Sequence, residues 1–237
     1  MRWDASEWRK LRDLVSPSFF DVLPAADLRR QLGELARNAV HRAEFEQARE
    51  ALALGLQRTG LPIRVGRCPT RTDTDFDRRG EAVLELFFHQ LFHHETAVLD
   101  VRAARFHSDG HTLFWNPRPL WVRWDPGFLD AVRNLYVGFY EEDDGRFRDA
   151  LSELGLACAE PTFRAHFGGN SLEATEFAAR DFRSAFHDTF VTCRATGASL
   201  HPGFVPLGAY LACLYEHLEQ LGGSYDVRAA FRSARDG

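Results

Sequence analysis

Residues 85–116 read ELFFHQLFHHETAVLDVRAARFHSDGHTLFWN, and this stretch decides the predicted fold. Its first part carries Leu and Phe side chains three and four residues apart, which is the spacing of one helix face. Its second part places Asp109-Gly110 between two short runs rich in β-forming residues, the strongest hairpin signal in the chain. The stretch therefore predicts a buried helix, a loop and a tight β-hairpin, in that order.

Helical patterns dominate on both sides of this stretch. Upstream, apolar residues at mixed three- and four-residue steps predict one long helix over residues 25–58. Downstream, Asp125-Pro126 predicts a helix start, and a regular apolar stripe predicts a helix over residues 204–221 that ends at Gly222. Short strands are predicted at residues 63–65, 98–101, 106–108, 112–115 and 120–123.

These patterns together predict a mainly α fold with a small β-hairpin region. We expect an N-terminal helical segment over residues 1–77, followed by a helical domain over residues 78–237.

The composition excludes several classes of protein. A net charge of −5 argues against a nucleic-acid partner, and no run of 18 apolar residues predicts a membrane span. The four cysteines lack Cys-x-x-Cys spacing and no secretion signal precedes them, which favours reduced thiols in a cytoplasmic protein. We therefore expect a protein partner or a small ligand, and a homo-oligomer is an open alternative.

Glu85, His89 and His93 follow one another at four-residue steps, so they share one face of the predicted helix. Carboxylate and imidazole groups one turn apart can hold a divalent metal ion, as in helical bundles that build metal centres between their helices. Such centres need a matching set on a second helix, and no second Glu-x-x-His occurs. A solvated polar face is the simpler interpretation of the three residues, and a metal site is the alternative.

From about residue 80 to residue 234, the chain resembles the C-terminal lobe of the UbiB/AarF-type atypical kinases. Residues 86–92 (LFFHQLF) are similar to the helix that leads into the family's catalytic loop, and Asp109-Gly110 matches the turn of its hairpin. The helices after the hairpin are similar over residues 125–144 and 151–156, and residues 214–222 resemble the family's closing helix. The resemblance implies a kinase C-lobe-like helical domain.

The catalytic positions of that family are changed in this chain. Asp100 stands where the family has its catalytic-loop aspartate, but residues 101–105 (VRAAR) replace the Pro-His-Pro-Gly-Asn that follows it. The metal-binding asparagine becomes Arg105, and the aspartate of Asp-Phe-Gly becomes Asn116. The only lysine, Lys10, comes too early to hold ATP. Phosphoryl transfer depends on positioned Mg²⁺, so these replacements predict that the kinase reaction is absent.

Three functions follow from this sequence. The first is a noncatalytic, pseudokinase-like domain without a cofactor, which binds a protein partner or a small ligand near Asp100, Arg105 and Asn116. The second is a helical metalloenzyme that uses the Glu85, His89 and His93 face. The third is a structural or assembly protein with an interface formed by aromatic residues near the start of the chain, namely Trp3, Trp8, Phe19 and Phe20.

Overall fold

The computed structural model describes residues 23–69, 76–166 and 174–237. These residues confirm the mainly α fold with a small β region. They form nine α-helices, which in chain order are α1 (Ala25–Asn38), α2 (Arg42–Leu56), α3 (Arg79–His93), α4 (Pro126–Tyr140), α5 (Asp144–Glu153), α6 (Glu160–His166), α7 (Ala179–Thr196), α8 (Phe204–Leu221) and α9 (Val227–Asp236).

The strands are short and make three small sheets. In chain order they are β1 (Ile63–Val65), β2 (Thr96–Val98), β3 (Phe106–Ser108), β4 (Leu113–Trp115), β5 (Trp121–Arg123), β6 (Thr175–Glu176) and β7 (Ser224–Tyr225). The first sheet has the order β1-β4-β3, with β1 parallel to β4 and β3 antiparallel to it. The antiparallel pairs β2–β5 and β6–β7 form the other two sheets.

The predicted hairpin at Asp109-Gly110 is confirmed as the connection between β3 and β4. The Asp109 carboxylate accepts hydrogen bonds from the backbone N–H groups of His111 (3.0 Å) and Thr112 (2.8 Å). Gly110 has φ of 94°, a conformation that side chains with a Cβ rarely adopt. The local sequence therefore builds this turn.

The prediction of one helix over residues 25–58 is wrong, because the chain turns between α1 and α2. In a continuous helix the Asn38 carbonyl would accept from residue 42. It accepts instead from the indole Nε1 of Trp121 over 3.1 Å, and the Asn38 side chain donates to the Trp121 carbonyl over 3.2 Å. A contact with a distant strand thus ends α1.

Other predicted helix ends are confirmed. Asp125 caps α4, since its carboxylate accepts from the backbone N–H of Phe128, and Pro126 occupies the first helical position. Gly222, with φ of 69°, ends α8. The β6–β7 pair was not predicted, because two-residue strands leave no periodic pattern in a sequence.

One hydrophobic core fills the space between these elements. It includes Leu52 and Ile63 from the predicted N-terminal segment, and Phe87, Phe88 and Phe231 from the predicted helical domain. Phe88 meets Phe231 edge to face, with ring centroids 5.7 Å apart. Residues on both sides of residue 77 therefore belong to the same hydrophobic core. The domain boundary predicted at residue 77 stays a prediction.

Candidate functional site

Asp100 lies in the loop between β2 and β3 and is inaccessible to solvent. Its Oδ1 atom accepts from Nε of Arg102 over 2.6 Å, and its Oδ2 atom accepts from Nη2 of the same guanidinium over 3.1 Å. Oδ2 also accepts from the backbone N–H of Arg118 over 3.2 Å. Both carboxylate oxygens are therefore occupied by donors of the chain itself.

The structure brings the three predicted site residues together. Nε of Arg105 lies 3.3 Å from Oδ2 of Asp100, and the backbone N–H of Asn116 donates to the Arg105 carbonyl over 2.9 Å. The Asn116 residue itself is exposed, whereas Asp100 is fully buried. Arg105 thus contacts Asp100 through its guanidinium and Asn116 through its backbone carbonyl.

A second set of contacts holds the same loop against helices α3 and α8. Arg79 donates from Nη2 to the carbonyl of Ala103 over 2.7 Å and from Nε to Nε2 of His217 over 2.9 Å. Nδ1 of His217 donates to the Val101 carbonyl over 2.7 Å. Glu216 accepts from the backbone N–H of Ala103 over 3.3 Å. The loop is therefore fixed on both sides by charged and polar side chains.

The sequence analysis missed Arg79, Glu216 and His217 as members of this network. The available signal was the position of His217 in an otherwise apolar stripe of α8. Burial, followed by the charge of Arg79, lowers the pKa of His217 to about 3, so the imidazole is neutral. Burial likewise raises the pKa of Glu216. The network thus brings the guanidinium groups of Arg79, Arg102 and Arg105 to the loop that carries Asp100, and the Glu216 carboxylate to the same loop.

The chemistry open to this centre follows from those contacts. A catalytic-loop aspartate must reach a substrate hydroxyl, and a metal-binding carboxylate must offer a free oxygen to the cation. Asp100 can do neither while Arg102 and the Arg118 amide occupy its oxygens. In this structure Asp100 ties the loop together through its contacts with Arg102, Arg105 and the Arg118 amide.

The alternative metal residues lie on α3 as the sequence predicted, but each has a partner within the chain. Oε2 of Glu85 accepts from the Ser233 hydroxyl over 3.2 Å, and Nε2 of His93 donates to the Ala234 carbonyl over 2.7 Å. The ring centroids of His89 and His93 are 4.9 Å apart. Within the described residues, no group of three His, Cys, Asp or Glu side chains is arranged to hold a metal ion.

The interpretation of these histidines as a solvated polar face is wrong for His89, which is buried. Nε2 of His89 lies 3.3 Å from Nε2 of His94, and a Cβ added at Gly55 of α2 would meet the His94 ring at 2.9 Å. Burial, followed by the charges of His94 and His93, lowers the pKa of His89 to about 4. The rings of His89 and His94 therefore lie against Gly55 of α2, and burial favours the neutral form of His89.

The aromatic residues proposed as an assembly interface, Trp3, Trp8, Phe19 and Phe20, lie outside the described residues. Large apolar side chains that the structure does show as exposed include Leu54 of α2, whose accessible fraction is 59%. In the described parts of the chain, no helix is long and apolar enough to cross a membrane.

Comparisons with known proteins give no family assignment. No model of a known protein family matches the chain, and no curated protein is significantly similar to it in sequence.

Proposed function

We propose that the chain is a noncatalytic, kinase-like domain that acts by binding a protein partner. The observation that carries this proposal is the state of Asp100, whose two carboxylate oxygens accept from Arg102 and from the Arg118 amide while the residue is fully buried. Asp100, which stands at the position of the family's catalytic aspartate, thus holds the loop through these contacts.

The replacements around Asp100 support the same proposal. The resemblance to UbiB/AarF-type kinases assigns Arg105 to the position of a metal-binding asparagine. A guanidinium carries a permanent positive charge and has no acceptor, so it cannot ligate Mg²⁺. Arg105 instead lies against Asp100, with Nε 3.3 Å from Oδ2. The arginine that stands in place of a metal ligand therefore forms a salt bridge with the buried Asp100.

A protein partner is favoured over a small ligand by the surface beside α2 and β1. Strand β1 is at the edge of its sheet, and an open groove of about 480 Å³ lies between it and α2. A groove with an apolar wall on a helix can receive a segment of another chain, which is a common mode of protein recognition.

Incubation with Mg-ATP tests the absence of phosphoryl transfer. We expect no rise in the melting temperature beyond that caused by Mg²⁺ alone, since a ligand that binds the native state raises its stability by mass action. We also expect no release of phosphate from ATP above a buffer control. A clear thermal shift together with release of phosphate above the buffer control would overturn the proposal.

A further inference from the structure

Two imidazole rings meet at the C-terminal end of α3. His89 belongs to the helix, and His94 is the first residue beyond it. On a continuous helix, residues five positions apart lie on different sides of the axis, since each residue turns by about 100°. His94 has extended backbone, with φ of −131° and ψ of 143°, so its ring is not held to the helical direction. The Nε2 atoms of the two rings are as a result 3.3 Å apart.

The separation of these two nitrogens can be compared with that in known kinds of contact. A hydrogen bond from a nitrogen donor is most often about 2.9–3.0 Å long. Two imidazole nitrogens at right angles on one metal ion, as in square-planar Cu²⁺ sites, are about 2.8–3.0 Å apart. Two imidazole nitrogens on a tetrahedral Zn²⁺, each about 2.0–2.1 Å from the metal, are about 3.3–3.4 Å apart. The observed 3.3 Å equals the tetrahedral separation and is long for a direct hydrogen bond.

A glycine of the neighbouring helix α2 leaves space beside both nitrogens. A Cβ added at Gly55 would lie 2.9 Å from Nε2 of His94 and 3.4 Å from Nε2 of His89. Gly55 and His94 are partly exposed, so water reaches this side of the pair, although His89 is buried. In the part of the chain that the structure describes, no third His, Cys, Asp or Glu side chain completes a metal-binding set. Water would therefore fill the remaining positions around a tetrahedral ion.

The backbone that carries His94 is fixed, and its position on the helix suits a cation. Arg133 of α4 donates from Nε to the Leu91 carbonyl over 2.7 Å and from Nη2 to the His94 carbonyl over 3.5 Å. The charge of Arg133 is in turn partly compensated by Asp130, over 3.2 Å. The C-terminal end of a helix carries a partial negative charge, which stabilises a nearby positive ion. The two rings therefore lie on a rigid turn where a cation is favoured.

From this geometry we infer that His89 and His94 bind one zinc ion through their Nε2 atoms, with water as the remaining ligands. The ion fixes the direction in which the chain leaves α3 toward β2, because one ligand lies on the helix and the other just beyond it. This pair differs from the metal-binding face predicted from the sequence, since Glu85 and His93 take no part in it. The inference goes beyond the proposed function and does not depend on it.

Zinc chloride titrated into the full chain, after treatment with a chelator, tests the site directly. We expect one equivalent to bind by calorimetry and to raise the melting temperature, whereas Mg²⁺, which prefers oxygen ligands, should not raise it. X-ray absorption at the zinc edge should show nitrogen and oxygen ligands at about 2.0–2.1 Å and no sulfur at about 2.3 Å. Absence of binding, or a sulfur ligand that places the ion on a cysteine, would overturn the inference.

Two adjacent histidines separate the proposed pair from a general affinity of imidazoles for zinc. His94→Gln removes one ligand and should weaken zinc binding at least roughly tenfold. His93→Gln is the matched control, because Nε2 of His93 already bonds to the Ala234 carbonyl over 2.7 Å. This control should bind zinc as the unmodified chain does. Equal effects of the two substitutions would contradict the assignment of the ligands.

Two glycine variants test the space beside the rings and leave both histidines in place. Gly55→Ala puts a methyl group next to the two nitrogens and should weaken zinc binding at least roughly tenfold. Gly33→Ala of α1 makes the same chemical change where nothing lies within 4 Å of the added atom, and it should leave zinc binding unaltered. Zinc binding by Gly55→Ala as tight as that of the unmodified chain would place the ion elsewhere and overturn the inference.

Discussion

Nε of Arg79 donates a hydrogen bond to Nε2 of His217 over 2.9 Å, so this buried imidazole is an acceptor toward a guanidinium. Its other nitrogen, Nδ1, donates to the Val101 carbonyl over 2.7 Å. Protonation would put a hydrogen on the accepting nitrogen and direct it at a positive charge. The contact therefore requires the neutral ring and makes this part of the core sensitive to acid.

The first prediction concerns the pH dependence of stability. The pKa of His217 is lowered from 6.5 to about 3 in the folded chain, so on acidification the unfolded chain takes up the proton first. The neutral His217 ring makes its full contribution to the unfolding free energy above about pH 6.5, and this contribution is lost as the pH falls toward 3. The expected loss is roughly 3 kcal/mol between pH 6.5 and pH 4.

His217→Gln keeps a donor and an acceptor but cannot titrate. We expect the difference in unfolding free energy between the original chain and this variant to shrink as the pH falls from 6.5, measured by urea denaturation. His89, whose pKa burial lowers to about 4, and Glu216 titrate in both proteins and so cancel in the difference. A difference that stays constant with pH would contradict the prediction.

The second prediction concerns the buried carboxylate. Asp100→Asn leaves the guanidinium groups of Arg102 and Arg105 without their compensating charge, which should destabilise the fold by about 3–5 kcal/mol. Asp130→Asn is the matched control, because Asp130 pairs with Arg133 at the surface and its side chain is 67% exposed. Asp130→Asn should lower the unfolding free energy by less than about 1 kcal/mol. Similar losses in both variants, measured by denaturant unfolding, would refute the anchoring role of Asp100.

The third prediction concerns two thiols in different elements. The Sγ atoms of Cys158, which is partly exposed, and Cys193, which is buried in α7, are 3.4 Å apart. A disulfide reagent such as oxidised glutathione should convert them into a disulfide by exchange, releasing two equivalents of reduced glutathione. Burial, followed by contact with Cys158, raises the pKa of Cys193 to about 12, so reaction should begin at Cys158 and be slow.

The bond would close a segment of 35 residues and raise the unfolding free energy by about 2–4 kcal/mol. Peptide mapping under non-reducing conditions should find the 158–193 link, and Cys158→Ser should abolish both the link and the stabilisation. Cys68→Ser is the control that retains them. Recovery of only mixed disulfides with glutathione would show that the two sulfurs do not meet.

The fourth prediction compares two glycines within helices. A Cβ at Gly138 of α4 would lie 2.5 Å from the backbone nitrogen of Phe147, so α4 and α5 could not keep their present approach. We expect Gly138→Ala to cost several kcal/mol, as overpacking against a rigid backbone does. Gly208 of α8 has nothing within 4 Å of the added atom, and Gly208→Ala should raise stability by about 0.5–1 kcal/mol. Thermal unfolding should give a lower melting temperature for Gly138→Ala and a higher one for Gly208→Ala than for the unmodified chain.

The sequence predicted the features that depend on neighbouring residues. Asp109 and Gly110 build the hairpin through their own backbone contacts, and Asp125 caps α4 three residues away. The break between α1 and α2 escaped prediction because Trp121, which takes the Asn38 carbonyl, is 83 residues distant. Helical periodicity describes one segment at a time and carries no information on such a contact.

The candidate site also contains residues that the sequence indicated and residues that it did not. The resemblance to a kinase C-lobe pointed to Asp100, Arg105 and Asn116, and the structure places Arg105 in contact with the other two. A ligand site at these residues stays a prediction. Arg79 and His217 were missed because their bond crosses 138 positions. His89 appeared polar from its spacing alone, although its burial depends on how α2 approaches α3 at Gly55.

The parallel pairing of β1 with β4 also has a consequence for the order of assembly. Strands β3 and β4 meet through a tight turn, whereas Ile63 and its partner Leu113 are roughly fifty residues apart. Closing that large loop costs entropy before any contact offsets it, so we expect β1 to join a hairpin that has already formed. Its pairing with β4 would then be the last contact of this sheet to form on folding, although β1 precedes both hairpin strands in the sequence.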